Sequence, residues 1–289
     1  MKSKIQYYNS EEAAKILGVN VSTIKRWTDE GKLSCIKTAG GHRKFLIEHL
    51  ADFLSTHKKK TEKLNLFPIE STADLRISQH IVKGDFHYLR VLILKNALSS
   101  NTDKIQQILN GLYLSQYPLF QIYDHLLTPV LYEIGEMWAK GEIAIAEEHL
   151  ATQAITDAII RLQGIIHLPR KKVGKALCLN FTKEFHSLAL KMVHHLLELR
   201  GFKVFFAGQN TPSQQIENIF DTYHPNRVYI SGTIVENKKE MQNEFKNFAD
   251  LCLKYKAKLF VGGRAFDQIS IEHPAVERRL ISFQDVFNY

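Results

Sequence analysis

From residue 175 onward, short apolar runs alternate with helical stretches, and this alternation constrains the fold more than any other feature of the chain. The pattern predicts strands at 175–181, 203–207, 227–231 and 258–262, with a weaker strand near 280–283. Between them it predicts helices at 187–200, 213–223 and 238–256. Strands that alternate with helices form a parallel sheet with helices on both faces. The sequence therefore predicts a doubly wound, Rossmann-like α/β domain over residues 174–289.

Three short fragments follow three of these predicted strands. Open α/β sheets bind ligands at the carboxyl ends of their strands, so the fragments are expected to share one edge. A neutral imidazole is a good metal ligand, and a carboxylate two residues away could hold its other ring nitrogen. A single Glu-x-His could equally lie in an ordinary loop, but three ordered fragments favour a ligand site. Its candidate residues are Glu184, His186, Ser231, Thr233, Gly262 and Gly263.

The order of the fragments resembles the cobalamin-binding motif D-x-H-x-x-G…S-x-L…G-G. This chain has Glu184 for the Asp, Ala189 for the first Gly and Thr233 for the Leu. In that family the His is the lower axial ligand of cobalt. The resemblance implies that His186 ligates cobalt and that the other five candidates contact the cofactor.

The amino-terminal part of the chain is basic. Residues 1–60 carry a net charge of +6, in a chain whose net charge is +8. A small basic domain points to a polyanion, with DNA as the leading candidate. A merely solvated basic face would show the same charge.

Residues 7–54 read as a helix-turn-helix followed by a hairpin. Asn9 and Glu12 are spaced for a capping box, Gly18 makes a turn, and a second helix runs from Val21 to Glu30. Gly40-Gly41 lies at the hairpin turn. Trp27 shares a face with Ile24 and is expected to be core.

The letters E-x-A-x-x-L-G-V-x-x-x-T-I-x-R-W…G-G-H-R-x-F resemble the winged-helix module of MerR-type transcription regulators. The resemblance implies that the second helix enters the major groove of DNA and that the hairpin, or wing, approaches the phosphates. The candidate groove residues are Thr23, Lys25 and Arg26. The candidate phosphate contacts are Lys37, His42, Arg43 and Lys44.

The middle of the chain reads as helical. A charged linker is predicted over 58–73 between a DNA-binding domain at 1–57 and a bundle of four helices at 74–168. Trp138 ends one predicted helix, and Glu148-His149 opens the next. Each of these residues alone is more typical of core or of an ordinary helix surface.

The spacing W-x9-E-H and the order of the modules resemble the CarH/LitR type of cobalamin-dependent light-sensing repressors. The resemblance implies that Trp138, Glu148 and His149 cover the upper face of adenosylcobalamin. It also implies a homo-oligomer, a dimer or tetramer, that binds operator DNA in darkness and changes in light. Ala139 departs from the pattern, because the best-known members have a cobalt-ligating His there. Three alternatives remain open: a cobalamin-binding regulator without a light response, a regulator that has lost the cofactor and responds to a protein partner, and a corrinoid enzyme module.

Composition excludes several other classes. The sequence has no run of eighteen apolar residues and no apolar signal segment at its start, so we expect no membrane partner. Three widely spaced cysteines fit neither a disulfide framework nor a zinc site. These features predict a reducing, cytoplasmic protein. The resemblance of the amino-terminal module to a winged helix, and the absence of a barrel pattern or a second catalytic domain, favour a regulator rather than an enzyme.

Overall fold

A computed structural model describes residues 7–56, 72–166 and 168–289 of the chain. The chain divides into two compact units, Met1–His167 and Leu168–Tyr289. Most of the predicted linker at 58–73 lies outside the described residues.

The first unit begins with a small module of three helices and one hairpin. Its elements are α1 (Ser10–Leu17), α2 (Val21–Asp29), β1 (Ile36–Lys37), β2 (Arg43–Lys44) and α3 (Ile47–Thr56). Asn9 caps α1, and Asn9 and Glu12 exchange the two hydrogen bonds of a capping box. Gly18 ends the helix with a φ of 65°, and Gly41 turns the hairpin with a φ of 76°. The predicted helix-turn-helix with a wing is confirmed.

A helical bundle follows in the same unit. Its helices are α4 (Thr72–Lys83), α5 (Phe86–Leu98), α6 (Thr102–Leu114), α7 (Leu119–Ile122), α8 (Thr128–Ala139) and α9 (Ile145–Gln163). α5, α6, α8 and α9 pack together as the predicted four helices, and α4 contacts both α5 and α6. The sequence pattern did not separate α4 from α5. Gly84, with a φ of 68°, and Asp85, which caps α5 through the Tyr88 N–H, divide them.

One wide, π-helical turn joins α7 to α8 over Tyr123–Leu127. Pro129 follows it and has no N–H to donate to the carbonyl of His125, four residues earlier. The Arg90 Nε donates to that carbonyl instead, at 2.6 Å. A side chain of α5 thus replaces the missing backbone bond and ties α5 to this turn.

The second unit contains a five-stranded sheet. Its strands are β3 (Gly174–Asn180), β4 (Phe202–Gly208), β5 (Arg227–Ser231), β6 (Lys258–Gly262) and β7 (Val276–Leu280). Its helices are α10 (Leu188–Leu199), α11 (Glu217–Tyr223), α12 (Lys238–Lys254) and α13 (Phe283–Asn288). The strand order is β4-β3-β5-β6-β7 and every pairing is parallel. The predicted doubly wound sheet is confirmed.

Alternate residues of β3 face opposite sides of this sheet. Leu177 and Leu179 join a buried cluster with Phe245 and Phe248 of α12. α10 packs against β3, β4 and β5. One strand prediction was misplaced: the last strand is Val276–Leu280, not 280–283, because Ser282 already caps α13.

Candidate cofactor site and nucleic-acid interface

The chain reverses its direction of travel across the sheet between β3 and β5. After β3 it moves outward to β4, then returns to the other side of β3. Such a reversal opens a crevice at the carboxyl ends of the two strands. The register places Asn180 beside Ser231 and Ser231 beside Gly262, so the three strands end level. Residues 181–187, termed the His186 loop, leave β3 at this crevice.

Glu184 holds His186 in place from below the surface. The Glu184 side chain is 4% exposed, while the His186 side chain is 57% exposed. The Glu184 Oε1 lies 2.6 Å from the His186 Nδ1 and accepts the His186 backbone N–H at 2.8 Å. Because the carboxylate engages Nδ1, Nε2 is the ring nitrogen that could ligate a metal. The structure therefore brings together the predicted imidazole and carboxylate.

The other oxygen of Glu184 reaches the end of the neighbouring strand. Its Oε2 accepts the backbone N–H groups of Thr233 and Ile234. Burial alone would raise the pKa of Glu184, but the hydrogen bonds from His186, Thr233 and Ile234 hold that pKa below its ordinary value. The carboxylate is thus ionised at neutral pH and favours a proton on the Nδ1 of His186.

The glycines after β5 and β6 pack against each other. Gly263 has a φ of 99°, and a Cβ there would lie 2.1 Å from the carbonyl oxygen of Gly232. The Gly232 N–H also donates to the Gly262 carbonyl at 3.0 Å. Glycine at 263 is therefore required by the approach of these two loops, and Ser231 beside them is buried.

Sequence reasoning missed four residues that fix the His186 loop, or left their role open. The Glu244 carboxylate accepts the Thr182 backbone N–H, and the Asn180 amide donates to the His186 carbonyl at 3.4 Å. Gln209 and Asn210, in the turn after β4, also bind the loop. In the sequence Gln209 and Asn210 read only as a polar pair after a predicted strand, which turn chemistry alone explains equally well.

The turn between α8 and α9 carries the three other predicted cofactor residues. Trp138, near the end of α8, is 48% exposed. In the first turn of α9, Glu148 accepts the Thr152 hydroxyl at 2.9 Å, and the His149 side chain is 71% exposed. Ile145 and Leu150 are exposed as well. The exposed apolar side chains of Trp138, Ile145 and Leu150 and the exposed imidazole of His149 therefore lie at this end of the bundle.

The predicted DNA contacts lie on α2 and the wing. Lys25, Arg26, Lys37, His42 and Lys44 are exposed, and Thr23 is half-buried. Arg43 differs, because its guanidinium lies 2.6 Å from Asp29 at the end of α2. The buried Ile24 and the contact of the Trp27 ring with the Phe53 ring, whose centroids lie 4.5 Å apart, agree with a core role for that face.

The residues at the sheet edge suit the cofactor that the motif implies. The donor is a solvent-exposed imidazole backed by a buried carboxylate, which is the arrangement that orients a metal-ligating histidine. Phe185 and Ile234 flank it as exposed apolar side chains that a flat ring could cover. The donor set therefore fits a cobalt-centred ring.

Two segments of the chain match known protein families, and one relative matches nearly the whole chain. Residues 7–58 match a helix-turn-helix domain family, and residues 76–163 match a B12 binding domain family. The HTH-type transcriptional repressor CarH of Myxococcus xanthus is 24% identical over 286 residues, which cover 94% of this chain and 93% of that protein.

Two solved structures resemble the chain to different degrees. The Methanosarcina barkeri monomethylamine corrinoid protein has a TM-score of 0.57 at 12% identity and covers 70% of this chain and 96% of its own. That likeness supports the fold. A cobalamin-binding protein from Desulfitobacterium hafniense has a TM-score of only 0.30 at 16% identity, over 68% of this chain and 91% of its own, and carries no argument.

The chain therefore resembles the CarH repressor along nearly its whole length and carries one segment that matches a helix-turn-helix domain and another that matches a B12 binding domain. The helix-turn-helix match and the likeness to a repressor bear out the prediction of a regulator rather than an enzyme. Among the helices of the described residues, none has the length and apolarity needed to cross a membrane.

Proposed function

We propose that this protein is a transcriptional repressor that binds operator DNA when adenosylcobalamin is bound and dissociates from it in light. The observation that carries the proposal is the Glu184–His186 pair at the crevice of a parallel sheet. The likeness to the CarH repressor and the two family matches support the regulatory output.

In this proposal His186 is the lower axial ligand of cobalt, through its Nε2. Glu184 keeps the ring oriented, and Ser231, Thr233, Gly262 and Gly263 contact the cofactor at the strand ends. Trp138, Glu148 and His149 contact its upper face. When bound, adenosylcobalamin supplies a cobalt–carbon bond that light cleaves.

Ala139 sets this chain apart from the pattern of its proposed class. A methyl group cannot ligate cobalt, so residue 139 provides no second protein ligand. We propose that loss of the adenosyl group alone changes how the exposed side chains around Trp138 contact the cofactor. A ligand shifts an equilibrium between assemblies only by its difference in affinity for them, and the adenosyl group would supply that difference.

Measurements in darkness and after illumination distinguish this function from that of a cobalamin sensor without a light response. The protein is mixed with adenosylcobalamin, then sized and examined by absorption spectroscopy before and after green light. The proposal expects a cobalamin spectrum that changes on illumination together with a change in assembly size. A bound cofactor with no change in size would favour a cobalamin sensor without light response, which Ala139 makes the second candidate.

DNA binding separates a regulator from a corrinoid enzyme module. Duplexes with high affinity are selected from a random-sequence pool by the cofactor-loaded protein in darkness. Their affinity is then measured with and without adenosylcobalamin, and before and after illumination. The proposal expects binding that is strongest in the loaded dark state. Failure to enrich any duplex would contradict it.

The exposed basic residues of the wing provide a test of the DNA-binding surface. Each cation that neutralises a phosphate adds about 0.9 to the slope of log affinity against log salt concentration. Lys37→Ala and Lys44→Ala, at the proposed phosphate contacts, should each weaken DNA binding and flatten that slope by about one contact. Lys15→Ala, on the exposed surface of α1, is the matched control and should leave the slope unchanged.

A further inference from the structure

Two neighbouring amide residues in the turn after β4, Gln209 and Asn210, bind four residues of the His186 loop. The Asn210 Oδ1 accepts the Lys183 N–H at 2.8 Å, and the Asn210 N–H donates to the Glu184 carbonyl at 3.1 Å. The Gln209 Nε2 donates to the Phe185 carbonyl, and to the Ser187 hydroxyl at 3.1 Å. The backbone on both sides of Glu184 is thus held by residues remote in sequence.

The backbone geometry explains why the loop needs this support. Lys183 has a φ of 65° and Asn210 a φ of 48°, so a left-handed residue sits on each side of their shared hydrogen bond. Lysine gains nothing from that conformation, whereas asparagine tolerates it. Without the Asn210 acceptor, the Lys183 turn would relax and move the backbone from which Glu184 and His186 extend.

We propose that Gln209 and Asn210 are positioning residues that hold the His186 imidazole in the direction cobalt requires. Glu184 fixes the ring, and these amides fix the chain that carries both Glu184 and His186. The inference rests on the proposed function, in which His186 is the cobalt ligand. A ligand held in its binding geometry before the metal arrives loses less freedom on binding.

The atoms used by the two amides allow a reciprocal isosteric test. Asn210 uses its side chain as an acceptor, so Asn210→Asp retains the bond to Lys183. Asn210→Gly retains the left-handed backbone but removes the acceptor. Gln209 uses its side chain as a donor, so Gln209→Glu keeps the size but removes the donor. Both positions are exposed, so all three variants are expected to fold.

The test measures hydroxocobalamin affinity and, after reduction, the fraction of cobalt whose electron paramagnetic resonance spectrum shows a histidine nitrogen. Asn210→Asp should match the wild type. Asn210→Gly and Gln209→Glu should each weaken binding by about 10-fold, the lower end of the usual loss from an outer-shell partner, and reduce the histidine-ligated fraction. A role limited to folding would leave that fraction unchanged in the bound protein.

The matched control is Gln268→Glu, which places the same charge on an exposed residue after β6 and should have no effect. Hydrogen exchange of the Lys183 amide in the cofactor-free protein reports the hydrogen bond from Lys183 to Asn210 directly and should accelerate only in Asn210→Gly. Equal ligation in wild type, Asn210→Gly and Gln209→Glu would overturn the inference alone. Loss in Asn210→Asp equal to that in Asn210→Gly would also overturn it. Absence of histidine ligation in the wild type would instead overturn the proposed function.

Discussion

The His186 loop and the α8–α9 turn carry the two halves of the proposed cofactor contacts, and they are built in opposite ways. In the loop a buried carboxylate, two amides and a second carboxylate hold nearly every residue from 182 to 187. At the turn, Trp138 is about half exposed and the His149 side chain is largely exposed, each close to a helix end. A side chain that ligates a metal in one direction needs the extensive support of the His186 loop. A surface that must respond to the state of the cofactor is better served by the exposed side chains of the α8–α9 turn.

The largest effect should come from the ligand itself. His186→Ala removes the only imidazole proposed to reach the lower face of cobalt, so cobalamin affinity should fall by at least the roughly 100-fold seen when strong outer-shell partners are lost. The measurement is a binding titration with hydroxocobalamin.

His224→Asn is the control for this variant. His224 is exposed and has a φ of 49°, a conformation that asparagine accepts. Unchanged cobalamin affinity in His186→Ala would show that His186 does not bind the cofactor.

Glu184→Gln tests the support beneath the ligand and should have the next largest effect. The amide retains one acceptor, but its NH2 group would face N–H groups that the carboxylate now accepts. Cobalamin affinity should fall by about 10-fold. The cofactor-free protein should also lose about 1–3 kcal/mol of unfolding free energy, because donors near a buried group lose their acceptor.

Chemical denaturation measures the stability loss, with Glu240→Gln on the exposed start of α12 as the control. Equal stability of the Glu184 and Glu240 variants would mean that the hydrogen bonds to Glu184 contribute nothing measurable.

The wild-type protein and Glu184→Gln are also expected to differ in how their stability depends on pH. The pKa of Glu184 is lower in the folded protein than in the unfolded chain, so its ionisation stabilises the fold. That contribution is fully present above the ordinary pKa of a glutamate and is lost as pH falls through the lowered pKa of the folded state. The stability difference between wild type and Glu184→Gln should therefore shrink as the solution is acidified. A difference that grows in acid would contradict the sign of the shift.

The smallest effect should come from the open surface of the turn. Trp138→Ala removes a side chain that is half exposed, so the stability of the cofactor-free protein should change by no more than about 0.5–1 kcal/mol. Cofactor affinity should nevertheless fall several-fold if the indole covers the cofactor.

Ile160→Ala, which truncates an equally exposed residue further along α9, should leave affinity unchanged. Equal affinity in both variants would remove Trp138 from the site.

The two regions also differ in how far the sequence predicted them. Short apolar runs between helical patterns located four of the five strands, and the fragments after them pointed to His186 and Glu184. The fifth strand was misplaced because Val276–Leu280 contains three charged residues, Glu277, Arg278 and Arg279, and does not read as an apolar run. The division of α4 from α5 depends on the φ of Gly84, which the periodicity of the flanking residues does not reveal.

The support of the His186 loop could not be read from local patterns at all. Glu244 lies 62 residues from Thr182, and Asn210 lies 27 residues from Lys183. Only the parallel pairing of β3 with β4 and β5 brings these elements to one edge. Motifs therefore indicate which residue meets the ligand, whereas topology determines which residues hold it there.

The most direct test of the central claim is the electron paramagnetic resonance spectrum of the protein loaded with reduced, cobalt(II) cobalamin. The protein is prepared once with ordinary histidine and once with histidine labelled with nitrogen-15. If His186 ligates cobalt, the nitrogen splitting changes from triplets to doublets on labelling, and His186→Ala abolishes that change. Triplets that persist in the labelled protein would show that the lower ligand of cobalt is not a histidine, and the account of this site would be wrong.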